Sequence, residues 1–232
     1  GNDANSGSSA GAPLRNLHAL LNQLAQLGPG DRIYVDTGVY TATNAIVLTP
    51  AFSGSPTNPV VIAGSTNQYA GGSLFRSSGG VPRPVGFDFR AGCSNVVLRD
   101  VALSNVVRGV ALAGTVNVAL DGVEVRGATS RAFDLLDNAR SNELVRCVAH
   151  GGSIGLNLTQ VTNVAVRHSV FWENGTYGVY AGASTGLRLE NNVLASTATN
   201  AILISIAYTN GLWSDYNGLH AGPLTRVREH RA

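Results

Sequence analysis

The chain reads as all-β, wound into a parallel β-helix whose coils each hold three short strands, with a capping α-helix at its N-terminal end. Three observations carry this reading. Small residues recur every 23 positions, at Gly86, Gly109, Ala132, Gly155, Gly178 and Ala201, and self-similarity at a fixed period of this size marks a solenoid. Each is followed by a short alternating segment, as in Gly86–Phe89 and Gly155–Leu158, and period-2 alternation belongs to strands. Two further apolar segments complete each unit. One begins at Asn95, Asn117, Asn163, Gly186 and Gly211, the other at Val101, Val123, Val148, Val170, Val193 and Tyr216.

Three strands and three turns in about 23 residues describe one coil, each strand pairing with its equivalent about 4.8 Å away. The inward residues then stack in ladders: Phe87, Val110, Phe133, Leu156, Val179 and Ile202 on the first strand, and Val96, Val118, Val164, Leu187 and Leu212 on the second. Neighbouring coils supply the core that no single coil can close. Asn95, Asn117, Asn142 and Asn163 recur at one corner, where the side-chain amide satisfies turn backbone and tolerates left-handed dihedrals. On the third strand, Phe171 and Leu194 are expected to point outward, covered by a loop or a neighbour rather than exposed.

Taken in order, residues 1–12 are Gly, Ser, Asn and Ala, expected to be loosely held. Residues 13–29 carry the helix: Leu14, Leu17, Leu20, Leu21, Leu24 and Leu27 form one apolar face, with Pro13 at its start and Gly28-Pro29-Gly30 as its stop. Its expected role is to cover the open end of the solenoid. The β-helix is expected over 30–222, opening with Ile33 and Val35, Ile46 and Leu48, and Val60 and Ile62 turned inward. Residues 64–85, rich in Gly and Pro, read as an irregular excursion bordering a cleft. Residues 223–232 form a basic tail with no apolar segment to cap the last coil, which leaves end-to-end self-association through that coil open.

The segment Gly30–Tyr40, followed by Ala45–Thr49 and Gly54–Gly64, resembles the opening of many polysaccharide lyases, and the whole repeat is similar to the right-handed parallel β-helices of the pectate-lyase-like superfamily. The resemblance covers roughly residues 30–222 and speaks to fold more than activity, since that superfamily holds lyases, hydrolases, epimerases, tailspikes and non-catalytic surface proteins. It implies export, to the cell surface or the medium, and a functional face on the outer side of one sheet.

The outward first-strand positions are therefore where chemistry is sought. Asp88, Arg90, Arg108, Arg131, Asp134, Asn157, Tyr177 and Tyr180 fall on that face. Arg pairs with uronate carboxylates, Tyr offers a stacking surface, and Asp and Asn bind hydroxyls or Ca²⁺. Arg108 and Arg131 are the catalytic candidates, and Asp88, Arg90, Asp134, Asn157, Tyr177 and Tyr180 the substrate-binding ones. Calcium is possible, with no ligand set assigned. The same residues also read as a solvated ladder of ion pairs. A second charged row, Arg99, Asp121, Arg146, Arg167, Glu190 and Asp215, stacks the carboxylates of Glu190 and Asp215. That arrangement either holds Ca²⁺ or raises one carboxyl pKa, or is relieved by Arg167. His168 beside it reads either as a base or as polar surface.

Two function classes stand side by side: a protein that binds acidic polysaccharide and possesses or lacks β-elimination activity, and a structural β-helix that stacks with other copies. All 16 basic residues are Arg, so lyases with a Lys base do not match, and the Asn-Thr-Asp, Gly-His-Gly and Arg-Ile-Lys signatures of polygalacturonase-type hydrolases are absent. A net charge of +2 does not argue for nucleic acid or a membrane surface, and no apolar run is long enough to cross a bilayer. Cys93 and Cys147 fall at different corners of non-adjacent coils and are expected to remain thiols.

Overall fold

The computed structural model describes residues 1–67, 71–78, 80, 82–196, 200–204 and 211–221. Among these, every strand pairs in parallel with its counterpart one coil away, building three sheets of eight, eight and seven strands. Sheet A runs from Arg32–Tyr34 to Trp213–Asp215 and holds the second-strand segments. Sheet B runs from Gly38–Ala42 to Gly218–Ala221 and holds the third. Sheet C, from Ile46–Leu48 to Asn200–Ile204, carries the segments that follow the 23-residue marks.

The first-strand ladder forms as expected: Phe87 registers with Val110, Val110 with Phe133, Phe133 with Leu156, Leu156 with Val179 and Val179 with Ile202. The small residues at the repeat marks have a steric cause. A Cβ on Gly109 would run into the Ala132 carbonyl of the next coil and sit 2.7 Å from the Val125 side chain. Residues on either side of such a mark share a face: Arg131 pairs with Asp134 three residues on, while Phe133 between them is buried in the core.

The helix is shorter than the Leu periodicity predicts, Leu17–Leu24 with Asn16 as N-cap. The preceding residues are held otherwise: Asp3 Oδ1 accepts the backbone N–H groups of Arg15 and Asn16, both at 2.9 Å. The first twelve residues, expected to be loose, thereby double back on the helix start. Leu17, Leu21 and Leu27 join the same apolar core as the first coil, so the helix does cover that end. Residues 64–85 also differ from expectation. They contain the sheet B strand Ser73–Ser77, hidden from pattern reading because two of its inward residues are serines. Ser73 sits inside because its Oγ donates to the Val35 carbonyl at 3.0 Å.

Sheet B corrects the expectation for the third strand. Phe171 and Leu194 are buried, not outward, and the inward column two residues before each is Val123, Cys147, Ser169 and Asn192, with Val148, Val170 and Val193 on the outside. Polar residues occupy the inside because they cap turn backbone. Ser169 Oγ accepts from the Cys147 N–H at 3.1 Å, Asn192 Oδ1 from Ser169 at 2.9 Å, and Asn217 Oδ1 from Asn192 at 2.9 Å. Sheet A has a similar device. Asn142 is not the corner residue: Ser141 takes the left-handed conformation in register with Asn95, Asn117 and Asn163. Asn142 lies inside and accepts the Val118 N–H at 2.8 Å. Cys93 and Cys147 are free and buried. The basic tail, 223–232, lies outside the described residues.

Candidate functional site

Positions three apart along one sheet C strand meet on its outer face, as the Arg131–Asp134 ion pair and the Tyr177–Tyr180 ring contact show. In successive coils these pairs are Arg108 and Ala111, Arg131 and Asp134, Ile154 and Asn157, and Tyr177 and Tyr180. Cross-strand register then aligns Arg108 with Arg131, Asp134 with Asn157, and Asn157 with Tyr180. The structure thus gathers Arg108, Arg131, Asp134, Asn157, Tyr177 and Tyr180 into one patch across four coils.

At its centre is a carboxylate. Asp134 is fully buried although it stands on the outer face, because long side chains lie across it. Arg108 Nη1 and Arg131 Nη1 both donate to its Oδ2, at 3.2 and 3.3 Å, and Asn157 Nδ2 donates to Oδ1 at 2.8 Å. Thr159 in turn donates to Asn157 at 3.2 Å. The two arginine side chains are half-exposed, at 35% and 41%, although the Nε of Arg131 is buried without a partner among the described residues. One coil further on, the Tyr177 and Tyr180 rings lie 5.7 Å apart and tilted by 38°.

Asp88 and Arg90 are set apart from this patch. They pair with each other at 2.8 Å, and Ala111 separates Asp88 from Asp134 along the ladder. With Asp134 sealed beneath two arginines, the Asp88/Asp134 pair does not form the two accessible carboxylates that glycoside hydrolysis uses. Among the described residues no group of three or more His, Cys, Asp or Glu side chains is placed to hold a metal ion, and no helix is long and apolar enough to cross a membrane.

The second charged row proves to be an ion-pair ladder on sheet A. Its register runs Arg99, Asp121, Val145, Arg167, Glu190, Asp215, with Val145 in the place expected for Arg146. Arg146 sits at the left-handed corner beside it and reaches back to Asp121 at 2.7 Å. Arg167 bridges Glu143 and Glu190, which relieves the stacked carboxylates as expected. Sequence reasoning passes over a cluster on sheet B, Glu124, Arg126, His150 and Trp172, because it places that strand out of phase. A signal is present all the same: Arg126, His150 and Trp172 follow one another at intervals of 24 and 22 residues.

Three parallel sheets wound about one core define a parallel β-solenoid, with Arg, Asn and Tyr side chains ordered on the outer face of one sheet. Residues 86–218 match the model of the right-handed β-helix region, and the chain belongs to that family. Its fold is similar to that of the A-module of the Azotobacter vinelandii mannuronan C-5 epimerase AlgE6, at 17% identity and a TM-score of 0.66, over 86% of this chain and 57% of that one. A rhamnogalacturonan lyase matches at 13% identity and 0.63, over 94% and 60%. A mannuronic acid specific polysaccharide family 6 lyase from human gut microbiota matches at 14% and 0.58, over 79% and 48%. The chain spans about half to three fifths of the length of these three proteins. At such identities the likeness is one of fold. No curated protein matches the sequence.

Proposed function

We propose that the outer face of sheet C binds acidic polysaccharide. The observation that carries this reading is the pair Arg108 and Arg131, side by side on adjacent coils, each anchored on Asp134 through Nη1 and leaving Nη2 for a ligand. Guanidinium groups in this arrangement suit planar carboxylates. Asp134 and Asn157 hold the arginines in place beneath the ligand, and Tyr177 and Tyr180 offer ring faces to the adjoining sugar. Asp88 and Arg90 extend the face by one coil. The structural neighbours support the substrate class, since their names concern mannuronan, rhamnogalacturonan and mannuronic acid polymers. The same resemblance supports an exported protein.

A second reading adds turnover. A uronate carboxylate neutralised by Arg108 and Arg131 has a more acidic neighbouring C–H, which is the first requirement of β-elimination. In this reading the two arginines are catalytic, with calcium as an optional aid. The test is to incubate the protein with polygalacturonate, alginate and glycosaminoglycans, with calcium or with chelator, recording binding and the ultraviolet absorbance of unsaturated uronate. Binding that weakens in Arg108→Ala and Arg131→Ala supports the face, and absorbance growth that the same variants abolish supports elimination. The absence of binding to every acidic polymer overturns both.

A further inference from the structure

Sheet B carries a second line of polar and aromatic side chains, on a different face from the Arg108–Arg131 pair. Thr41 registers with Arg76, Arg76 with Ser104, Ser104 with Arg126, Arg126 with His150 and His150 with Trp172. Their strand neighbours Phe75, Leu103, Val125, Ala149 and Phe171 are buried, so the line itself projects outward. The steps between its six coils, at about 4.8 Å each, make it about 24 Å long.

Its two ends differ in chemistry. At one end Thr41, Arg76, Ser77, Ser78, Ser104 and Asn105 line an open groove of about 510 Å³. Arg76 is exposed and makes no ion pair among the described residues. At the other end the His150 and Trp172 rings stack, 5.2 Å apart and 23° from parallel. Between them Glu124 accepts two hydrogen bonds from Arg126, each 2.7 Å, and lies 3.2 Å from His150 Nε2. Glu124 thereby holds both side chains along the sheet.

Two features mark this line as more than a solvated surface. Trp172 is 38% exposed while stacked on His150, which leaves aromatic surface and an indole N–H open to a ligand. Immediately after it the pairing with the next strand shifts register between Phe171 and Asn174, and such bulges re-aim a side chain. The column beside the line is Ala102, Glu124, Val148, Val170 and Val193. Apart from Glu124 these side chains are short, so the line stands above its surroundings.

We propose that this line is a second saccharide-binding strip, which takes an acidic oligosaccharide laid across the coils. A sugar ring rests on Trp172, hydroxyls meet the Arg126–Glu124 pair, and a carboxylate lies in the hydroxyl-lined groove at Arg76. Donors repeated at each coil suit a repeating polymer, and Arg76 sets the charge. The ligand class rests on the reading of sheet C, whereas the position does not.

The experiment uses Trp213→Phe protein, in which Trp172 is the single fluorophore of its kind, titrated with hexagalacturonate and with neutral xylohexaose. Trp172 emission is expected to change with hexagalacturonate. Trp172→Ala, followed by calorimetry, is expected to weaken binding on the order of tenfold, and Trp172→Phe to restore part of it. Arg76→Gln is expected to weaken hexagalacturonate binding and leave xylohexaose unchanged. An unaltered emission, or calorimetric affinities of Trp172→Ala and Arg76→Gln within about twofold of the parent, overturns the proposal. If Arg131→Ala alone abolishes binding, the sheet B strip falls and the sheet C face stands. If Trp172→Ala alone abolishes it, the sheet C reading falls instead. Equal affinity for the two hexamers overturns the acidic ligand class.

Discussion

Arg108 and Arg131 occupy the same register position on adjacent coils and share one carboxylate oxygen, Oδ2 of the buried Asp134. Two cations placed about 4.8 Å apart along a sheet repel each other. Asp134 offsets that repulsion, and both half-exposed side chains stand side by side above it. The pair is a consequence of a 23-residue repeat meeting an i, i+3 spacing within one strand.

Removing both arginines leaves Asp134 with Asn157 as its remaining partner. Arg108→Ala/Arg131→Ala is expected to lower stability by about 1–3 kcal/mol, the cost of an unsatisfied buried charged group reduced by the water that replaces two half-exposed side chains. Asp134→Asn is expected to cost less, because the arginines rehydrate. Urea unfolding checks both, and a double variant as stable as the parent removes Asp134 from the argument.

Asn192 bridges three coils from inside the solenoid. It accepts the Ser169 N–H and donates to the Val166 carbonyl at 2.9 Å. Asn192→Leu fills the space but strands those backbone groups, with an expected loss of about 1–3 kcal/mol. A stability equal to the parent's would show that apolar packing offsets the lost hydrogen bonds.

Burial pushes the Cys93 thiol up to about 11 and the Cys147 thiol to about 12. Since the thiolate is the reactive form, neither is expected to react with iodoacetamide near neutral pH until the coils open. Alkylation followed by mass spectrometry across a urea series should rise with unfolding. Rapid labelling of native protein would show that a coil opens locally.

Glu124 is held below the usual glutamate range, first by its hydrogen bonds from Arg126, then by that charge and by His150. A carboxyl depressed in the folded state contributes stability above its unfolded pKa and loses it as pH falls through the folded value. Glu124→Gln is therefore expected to flatten the fall in Tm between about pH 5 and about pH 3. Asp100 works in the opposite sense, since burial raises it, so the comparison with Glu124→Gln isolates one group. An unchanged acid slope refutes the assignment.

Much of the architecture is legible in the amino-acid pattern. The sheet C ladder is in phase because its marks never depart from 23 residues and its inward positions are apolar. Sheet B reads one residue out of phase for a physical reason. Its outward Val148, Val170 and Val193 look like core, while inward Ser169 and Asn192 look like surface, because capping turn N–H groups there outweighs hydrophobic preference. The strand Ser73–Ser77 escapes pattern reading for the same cause, and with sheet B out of phase the His150–Trp172 platform stays hidden.

The sequence by itself determined that this is a three-strand parallel solenoid, where its coils repeat, and which residues share the outer face of sheet C. Tertiary structure alone decided which of those residues meet solvent. Alternation assigns a side chain to a face, but exposure depends on what the neighbouring coil lays over it. Asp134 and Asn157 stand outward yet lie covered, while Arg108 and Arg131, anchored on that carboxylate, are the groups that remain for a ligand.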